Sequence, residues 1–249
     1  MSRLGKLDHG RLLEIAAGTG VVTRALARTL PLSVEIVATD LNQPMLDLAA
    51  SRLTGRPVEW RQADANSLPF DADVFDAVLC QFGVMFFPDK ARAFREAFRV
   101  LKPGGRLLFN VWTDIMENEF THVVTEAVAG FFPDDPPRFF AQVPHGYHDS
   151  SEIREALNAA GFERIDMERV KRHSRAESAR AAAIGLCQGT PLRNQIEERD
   201  PGRLDEATEA AAAALSKRFD DSRIEGQMCA LVVEAWRPIG TLAANFDRA

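Results

Sequence analysis

Cysteine is scarce in this 249-residue chain: Cys80, Cys187 and Cys229 are odd in number and far apart. That spacing builds neither a disulfide framework nor a metal site, and it fits reduced thiols in a cytoplasmic protein. His9, His122 and His173 are isolated, so no metal is expected. No apolar run approaches the ~20 residues that would span a bilayer. The opening stretch MSRLGKLDHG lacks the apolar core of a signal peptide. Neither a Gly/Ser linker nor an internal repeat interrupts the chain. Basic residues are also short, with 30 Lys and Arg against 36 Asp and Glu. The deficit lies in the second part: residues 1–112 hold 14 basic and 12 acidic groups, residues 113–249 hold 16 and 24. A nucleic-acid binder needs a basic patch for the phosphates, so DNA and RNA are disfavoured as partners, leaving only a strip such as Arg169–Arg175. Hydrophobic content of 46% and charged content of 27% are ordinary for a globular chain. The length suffices for one well-buried domain with an elaboration, or two small ones.

The most informative stretch is Arg11–Asp40, RLLEIAAGTGVVTRALARTLPLSVEIVATD. Leu12, Leu13 and Ile15 form the short apolar run of a buried parallel strand. Gly18-Thr19-Gly20 breaks it, and glycine lets backbone turn tightly and approach a ligand closely. Val22, Leu26 and Leu30 recur on one face of a helix that Pro31 ends. Val34, Ile36 and Val37 make a second strand with Asp40 at its carboxyl end. Ligands of open α/β sheets bind outside such strand ends, and a carboxylate there can accept from both hydroxyls of a ribose. An adenosine-containing cofactor is therefore expected. A dinucleotide needs G-x-G-x-x-G, and Thr23 stands where the third glycine would be. S-adenosylmethionine (SAM) has no phosphate and needs only the close turn. SAM ranks first on this stretch, an ordinary strand–turn–helix that binds nothing second, and NAD third.

Further along, an Asn42 cap opens a helix over Pro44–Leu53. A third strand covers Val58–Ala63 and ends at Asp64. A fourth covers Val74–Cys80, followed by an aromatic-rich loop or short helix at Gln81–Phe87. Asp89–Leu101 reads as a helix, with Arg92, Arg95, Glu96 and Arg99 as a solvated face. Lys102-Pro103-Gly104-Gly105 turns into a fifth strand, Arg106–Trp112. After Thr113 the pattern loosens: a helix over Glu119–Gly130, a loop over Phe131–Tyr147, a helix from Ser150 or Ser151 to Ala160, and a strand over Phe162–Arg172. Helices over Ala176–Leu186 and Arg203–Phe219 follow, then a closing strand at Met228–Trp236. The alanines at 210–214 suggest tight helix packing. Strands alternating with helices mean a mostly parallel, doubly wound α/β sheet with a helical insertion before the last strand.

Four segments in order, LLEIAAGTG, IVATDLNQPML, ADANSLPF and FDAVLCQFGVMFFPDKARAFREAFRVLKPGGRLLF, resemble the class I SAM-dependent methyltransferases. Within that family the chain is similar to the small-molecule group that includes the ubiquinone/menaquinone-biosynthesis enzymes. The resemblance covers roughly Leu12–Trp112. It implies a seven-stranded sheet whose last strand is antiparallel, in one structural domain overall. Residues 1–112 would form the Rossmann-like core. Residues 113–249 would complete the sheet and add substrate-cap insertions at about 114–149 and 174–222. It implies that Gly18 and Gly20, with Thr19 between them, pass backbone beneath the methionine part of SAM. Asp40 would hold the ribose, Leu41 and Met45 would flank the adenine, and Asp64 with the Ala65 amide would meet the adenine edge. Gln81, with Phe82 beside it, would line the methyl end. Two positions depart from the family's Asp-x-Gly-x-Gly: Glu14 is a carboxylate substitute, and Ala16 adds a methyl that predicts a slightly opened turn or a shifted cofactor. Only about ten residues precede the first strand, which predicts that the family's N-terminal lid is short or absent.

Methyl transfer is an in-line displacement at carbon on a sulfonium, so alignment and exclusion of water matter most. A base is needed only if the acceptor must lose a proton. The Asn/Asp-Pro-Pro-Tyr loop of nucleic-acid amino methylation is absent after the fourth strand, as is the Pro-Cys pair of cytosine methylation. Cys80 reads as a buried strand thiol. His145-Gly146-Tyr147-His148 is the one cluster that could supply a base, with His145 and His148 as candidates. The alternative is that these are surface or hinge residues and Tyr147 is packing. Phe82, Phe86, Phe87, Phe131, Phe132, Phe139 and Phe140 could wall an apolar acceptor pocket or belong to the core. The reading is a SAM-dependent methyltransferase for a small apolar or aromatic acceptor at O, N or C. A SAM-binding regulatory protein and an NAD-dependent oxidoreductase are the alternatives. A dimer is compatible with the sequence, which does not determine the oligomeric state.

Overall fold

The computed structural model describes residues 7–53 and 55–240. Residues 1–6 of the opening stretch, on which the short-lid expectation bears, lie outside the described residues. Seven strands form one sheet: β1 (Gly10–Ile15), β2 (Val34–Asp40), β3 (Glu59–Gln62), β4 (Phe75–Gln81), β5 (Leu101–Trp112), β6 (Arg164–Ala176) and β7 (Ile224–Trp236). The order is β3-β2-β1-β4-β5-β7-β6. β1 pairs in parallel with β2 on one side and β4 on the other. The order therefore reverses beside β1, which makes the carboxyl ends of β1, β2 and β4 the switch point where ligands of such sheets bind. β7 runs against β5: the Gly104 amide donates to the Arg237 carbonyl, whereas the Thr113 amide donates to that of Cys229.

Two compact units emerge. Unit 1 holds residues 7–110, 151–167 and 233–240 of those described; unit 2 holds Val111–Ser150 and Glu168–Val232. In unit 1, α1 (Val21–Thr29) follows β1, α2 (Gln43–Ser51) follows β2, and α3 (Lys90–Val100) joins β4 to β5. Leu12, Leu26, Val34, Ile36, Ala77 and Leu79 make one core between sheet and helix. α2 is capped as expected, with the Met45 amide donating to Asn42 Oδ1 at 3.2 Å. The α3 charges are not simply a solvated face. The Arg99 guanidinium donates to the Phe70 and Leu68 carbonyls, and Glu96 accepts from the Leu68 amide at 2.8 Å. The pair thus staples the loop after Asp64 to α3. Arg237 Nη1 donates to the Phe98 carbonyl, which the end of α3 leaves open, and to the Leu101 carbonyl at the start of β5.

Unit 2 is mainly helical: α4 (Glu119–Phe131), α5 (Phe139–Gln142), α7 (Ala179–Cys187), α8 (Leu192–Arg199) and α9 (Leu204–Phe219). α6 (Ser150–Ala159) belongs almost wholly to unit 1. Ala179, Ala182 and Ala183 of α7 and Ala207, Ala211 and Ala212 of α9 are buried in one core. Small side chains let helix backbones approach closely, as the alanine run predicts. One expectation fails here: the segment 131–147 is not all loop, because it contains α5. α8 is an element that the sequence pattern does not signal, since it carries little apolar periodicity. Phe139 and Phe140 are buried in this core and Phe131 and Phe132 pack against it, so these four are core side chains. Among the described residues no helix is long and apolar enough to cross a membrane. Within the basic strip on β6, Arg169 pairs with Glu117 and Arg175 with Glu225, which neutralises part of it.

Candidate functional site

The glycine turn is built from backbone in rare conformations. Ala16, Gly18 and Gly20 have φ of 55°, 55° and 73°, all left-handed. The Ala17 amide donates to the Thr39 carbonyl and the Gly20 amide to the Ala17 carbonyl, both at 2.9 Å. Asp40 lies where β2 ends. Its Oδ2 accepts from the Gly18 amide at 2.8 Å, and its Oδ1 accepts from the Asn42 amide at 2.8 Å. The acid is thus oriented by the turn it faces. Each carboxylate oxygen has a second lone pair left for a ligand hydroxyl. Thr19 is held through its carbonyl, which accepts from Arg24 Nη1 at 2.7 Å.

The two glycines differ in what surrounds them. A Cβ on Gly18 would meet nothing within 4 Å, so open space lies over the turn at that residue. A Cβ on Gly20 would come within 2.8 Å of Ala49 Cβ and 3.3 Å of the Trp60 ring, so Gly20 serves packing of α1's start against α2 and β3. The Ala16 methyl has a specific accommodation. A Cβ on Gly83 would stand 2.6 Å from Ala16 Cβ and 2.7 Å from Cys80 Sγ. Gly83 therefore supplies the volume that a glycine at position 16 would have left free. Phe82, next to it, has φ 53°. Left-handed backbone in a non-glycine residue costs about 1–2 kcal/mol, and Ala16 after β1 and Phe82 after β4 both adopt it.

Thr23 replaces the third glycine of a dinucleotide turn with a bonding group. Its Oγ1 donates to Glu14 Oε2 at 2.6 Å, and Thr39 Oγ1 donates to the Glu14 carbonyl at 3.0 Å. Glu14 is 1% exposed. Burial, opposed in part by the Thr23 hydrogen bond, pushes its carboxyl up to about 7. Cys80 of β4 is buried and its thiol is pushed up to about 12, which makes it an inert strand thiol.

Around the turn, Leu41 and Met45 are 67% and 44% exposed. Gln62 Nε2 fixes the Leu41 carbonyl at 2.8 Å. Asp64 is exposed and its Oδ1 accepts from the Asn66 amide at 2.8 Å, which leaves Ala65 buried within a tight turn. Asn66 was missed in the sequence: it is buried, and its Oδ1 has no hydrogen-bond partner among the described residues. Gln81 is exposed at the end of β4.

The histidines belong to unit 2. His145 is 3% exposed, not a surface residue. Nδ1 is 2.8 Å from the Thr113 carbonyl, which makes it the donor, and Nε2 is 3.0 Å from Thr121 Oγ1. Burial pushes the ring below its ordinary value. Asn118 completes the cluster, donating to the Asp114 carbonyl and accepting from the Cys229 amide at 3.0 Å each. Tyr147 is buried, as the packing alternative expects, and His148 Nε2 pairs with Asp114 Oδ2 at 3.2 Å on the surface.

Comparison with known proteins decides the family. The model of the family described as "Methyltransferase domain" matches residues 13–109. The ubiquinone/menaquinone biosynthesis C-methyltransferase UbiE of Idiomarina loihiensis is 31% identical over 63% of this chain and 67% of its own length. The chain belongs to the class I SAM-dependent methyltransferases. Its fold matches Haemonchus contortus phosphoethanolamine N-methyltransferase 2 in complex with SAM at TM-score 0.58 and 20% identity, over 95% of this chain and 51% of that one. The [4+2]-cyclase SpnF matches at TM-score 0.58 and 26% identity, over 94% and 78%. The residues of the methyltransferase fit its cofactor: open space lies over Gly18 and Asp40 keeps lone pairs free at the switch point, while in the loop after β3 the buried Asn66 Oδ1 has no partner among the described residues. SAM is the cofactor, and it supplies a methyl group already activated by the sulfonium.

Proposed function

We propose that this methyltransferase carries a methyl group to carbon of a small, quinone-related aromatic ring. The names of its curated relatives favour that acceptor class and that atom. The cofactor half of the reading rests on Asp40, a half-buried carboxylate already aimed by the Gly18 amide. Asp40 holds the ribose hydroxyls, the Gly18 backbone lies beneath the methionine part, and Leu41 and Met45 flank the adenine. Asp64 and the Ala65 amide meet the adenine edge, with Gln81 and Phe82 at the methyl end. Unit 2 selects the acceptor. His145 is a positioning residue in this reading, since both ring nitrogens are engaged within unit 2, and His148 is the remaining candidate base. The test is transfer of labelled methyl from SAM to a panel of hydroxylated rings, amines and phosphoethanolamine. Label in carbon of a ring supports the proposal, and label only in nitrogen or oxygen overturns it. The SpnF likeness supports a second reading, a SAM-binding protein that transfers no methyl, for which every acceptor and a whole-cell extract stay unlabelled.

A further inference from the structure

Glu14 has no part in the scheme above, yet it is the most deeply buried acid beside the turn. It is the penultimate residue of β1. Thr23 seats its side chain against the first turn of α1, and Thr39 of β2 ties down its carbonyl. Asp40, the next residue after Thr39, is tied in turn to Gly18. The carboxyl thus sits under the strand–turn–helix connection over which the methionine part of the cofactor lies. We propose that Glu14 is a charge sensor beneath the glycine turn, which makes the site prefer the cationic sulfonium cofactor over its neutral-sulfur product.

The chemistry is that of two ligands differing in one charge. SAM and S-adenosylhomocysteine share the adenosine, the α-amino group and the carboxylate, and only SAM carries a sulfonium cation. A cation above the turn stabilises an ionised carboxylate below it. Binding of SAM therefore drives the Glu14 proton to solvent, whereas binding of the product does not, and no covalent bond to the protein is made or broken. The groups facing Glu14 from the packed elements are Asp40 on β2, whose charge opposes ionisation, and Cys80 on β4, a neutral thiol. α1 contributes the Thr23 hydroxyl, which favours the ion. With its carboxyl poised near neutrality, Glu14 changes charge in the range where the protein would work. The site would then hold cofactor more tightly relative to product, and the bias would grow with pH.

This inference rests on the placement of SAM given above, and calorimetry tests the two separately. SAM and S-adenosylhomocysteine are titrated into the full chain at pH 6, 7 and 8, each in two buffers of different ionisation enthalpy. In the native protein the affinity ratio should move toward SAM by about threefold to tenfold from pH 6 to 8, a coupling of roughly half to one pKa unit. SAM binding should release a fraction of a proton that product binding does not. Glu14→Gln keeps the shape and the Thr23 bond, and should flatten the ratio. Thr23→Val removes a donor to the ion and should move the transition to higher pH, a second readout should Glu14→Gln not fold. A ratio that ignores pH in the native protein, or a dependence that survives in Glu14→Gln, overturns the inference. Failure of the folded protein to bind either ligand removes the cofactor placement and this inference with it.

Discussion

Glu14 in unit 1 and His145 in unit 2 are both buried and both driven toward their neutral forms, but they are held by different kinds of structure. Glu14 is gripped by Thr23, nine residues away, across one strand–turn–helix connection. His145 is gripped by Thr113 and Thr121, 32 and 24 residues away. The Glu14 carboxyl is thus held within one strand–turn–helix connection, whereas the His145 ring is held by a carbonyl and a hydroxyl that only tertiary folding brings to it. The consequences for stability have opposite sign. The Glu14 pKa is raised from 4.5 to about 7 in the fold, so the folded state binds more protons between those values, and stability falls as pH rises through them. The His145 pKa is lowered from 6.5, so the unfolded chain binds more protons below that value, and stability falls as pH drops.

The largest effect that could break this comparison belongs to Glu14. Integrated from 4.5 to about 7, its ionisation removes roughly 3 kcal/mol of stability, which Glu14→Gln should no longer lose. Urea unfolding at pH 5 and pH 8 measures it; parallel losses in both proteins would show that Glu14 does not titrate this way. Gly83→Ala comes next, at about 1–3 kcal/mol of overpacking against Ala16 and Cys80. Ala16→Gly should recover part of that loss, and simple additivity in the double mutant would separate the two sites. Asp40→Ala should weaken SAM by roughly 10–100-fold in calorimetry, the loss of one or two charged hydrogen bonds. An unchanged affinity would take Asp40 out of the cofactor site. His145→Asn should lower stability by about 1–2 kcal/mol through the abandoned Thr113 and Thr121 groups, and should flatten the acid limb of the stability–pH curve that Glu14→Gln leaves intact. Smallest is His148→Asn, under about 1 kcal/mol, because its partner Asp114 is exposed. Turnover of that variant at neutral pH also tests whether the imidazole serves as a base.

Much of unit 1 was legible because its signals are short-range. Leu12, Leu13 and Ile15 before two glycines, and an acid after Val34–Val37, specify strand, turn and strand end without knowledge of any distant contact. The reading of Thr23 was only half informative. It excluded a third glycine, but nothing in the sequence said that the hydroxyl would reach back to Glu14. Glu96 and Arg99 were read as solvated because helical periodicity puts them opposite Phe94 and Ala97. The loop at Leu68–Phe70 that they bind is about thirty residues away. The phenylalanines at 131, 132, 139 and 140 were ambiguous for a related reason: pocket walls and cores have the same composition, and only their partners tell them apart.

What the chain determined by itself is the alternation of strands and helices, the left-handed turn and the acid beside it, since each follows from steric and hydrophobic preferences over a few residues. What tertiary structure alone decided is which groups are sealed from water and what they then meet: Ala16 against Gly83, Glu14 under Thr23, His145 between two threonines. Those outcomes depend on contacts between separate elements of the fold, and burial alters both the volume a methyl group can occupy and the charge a side chain can carry.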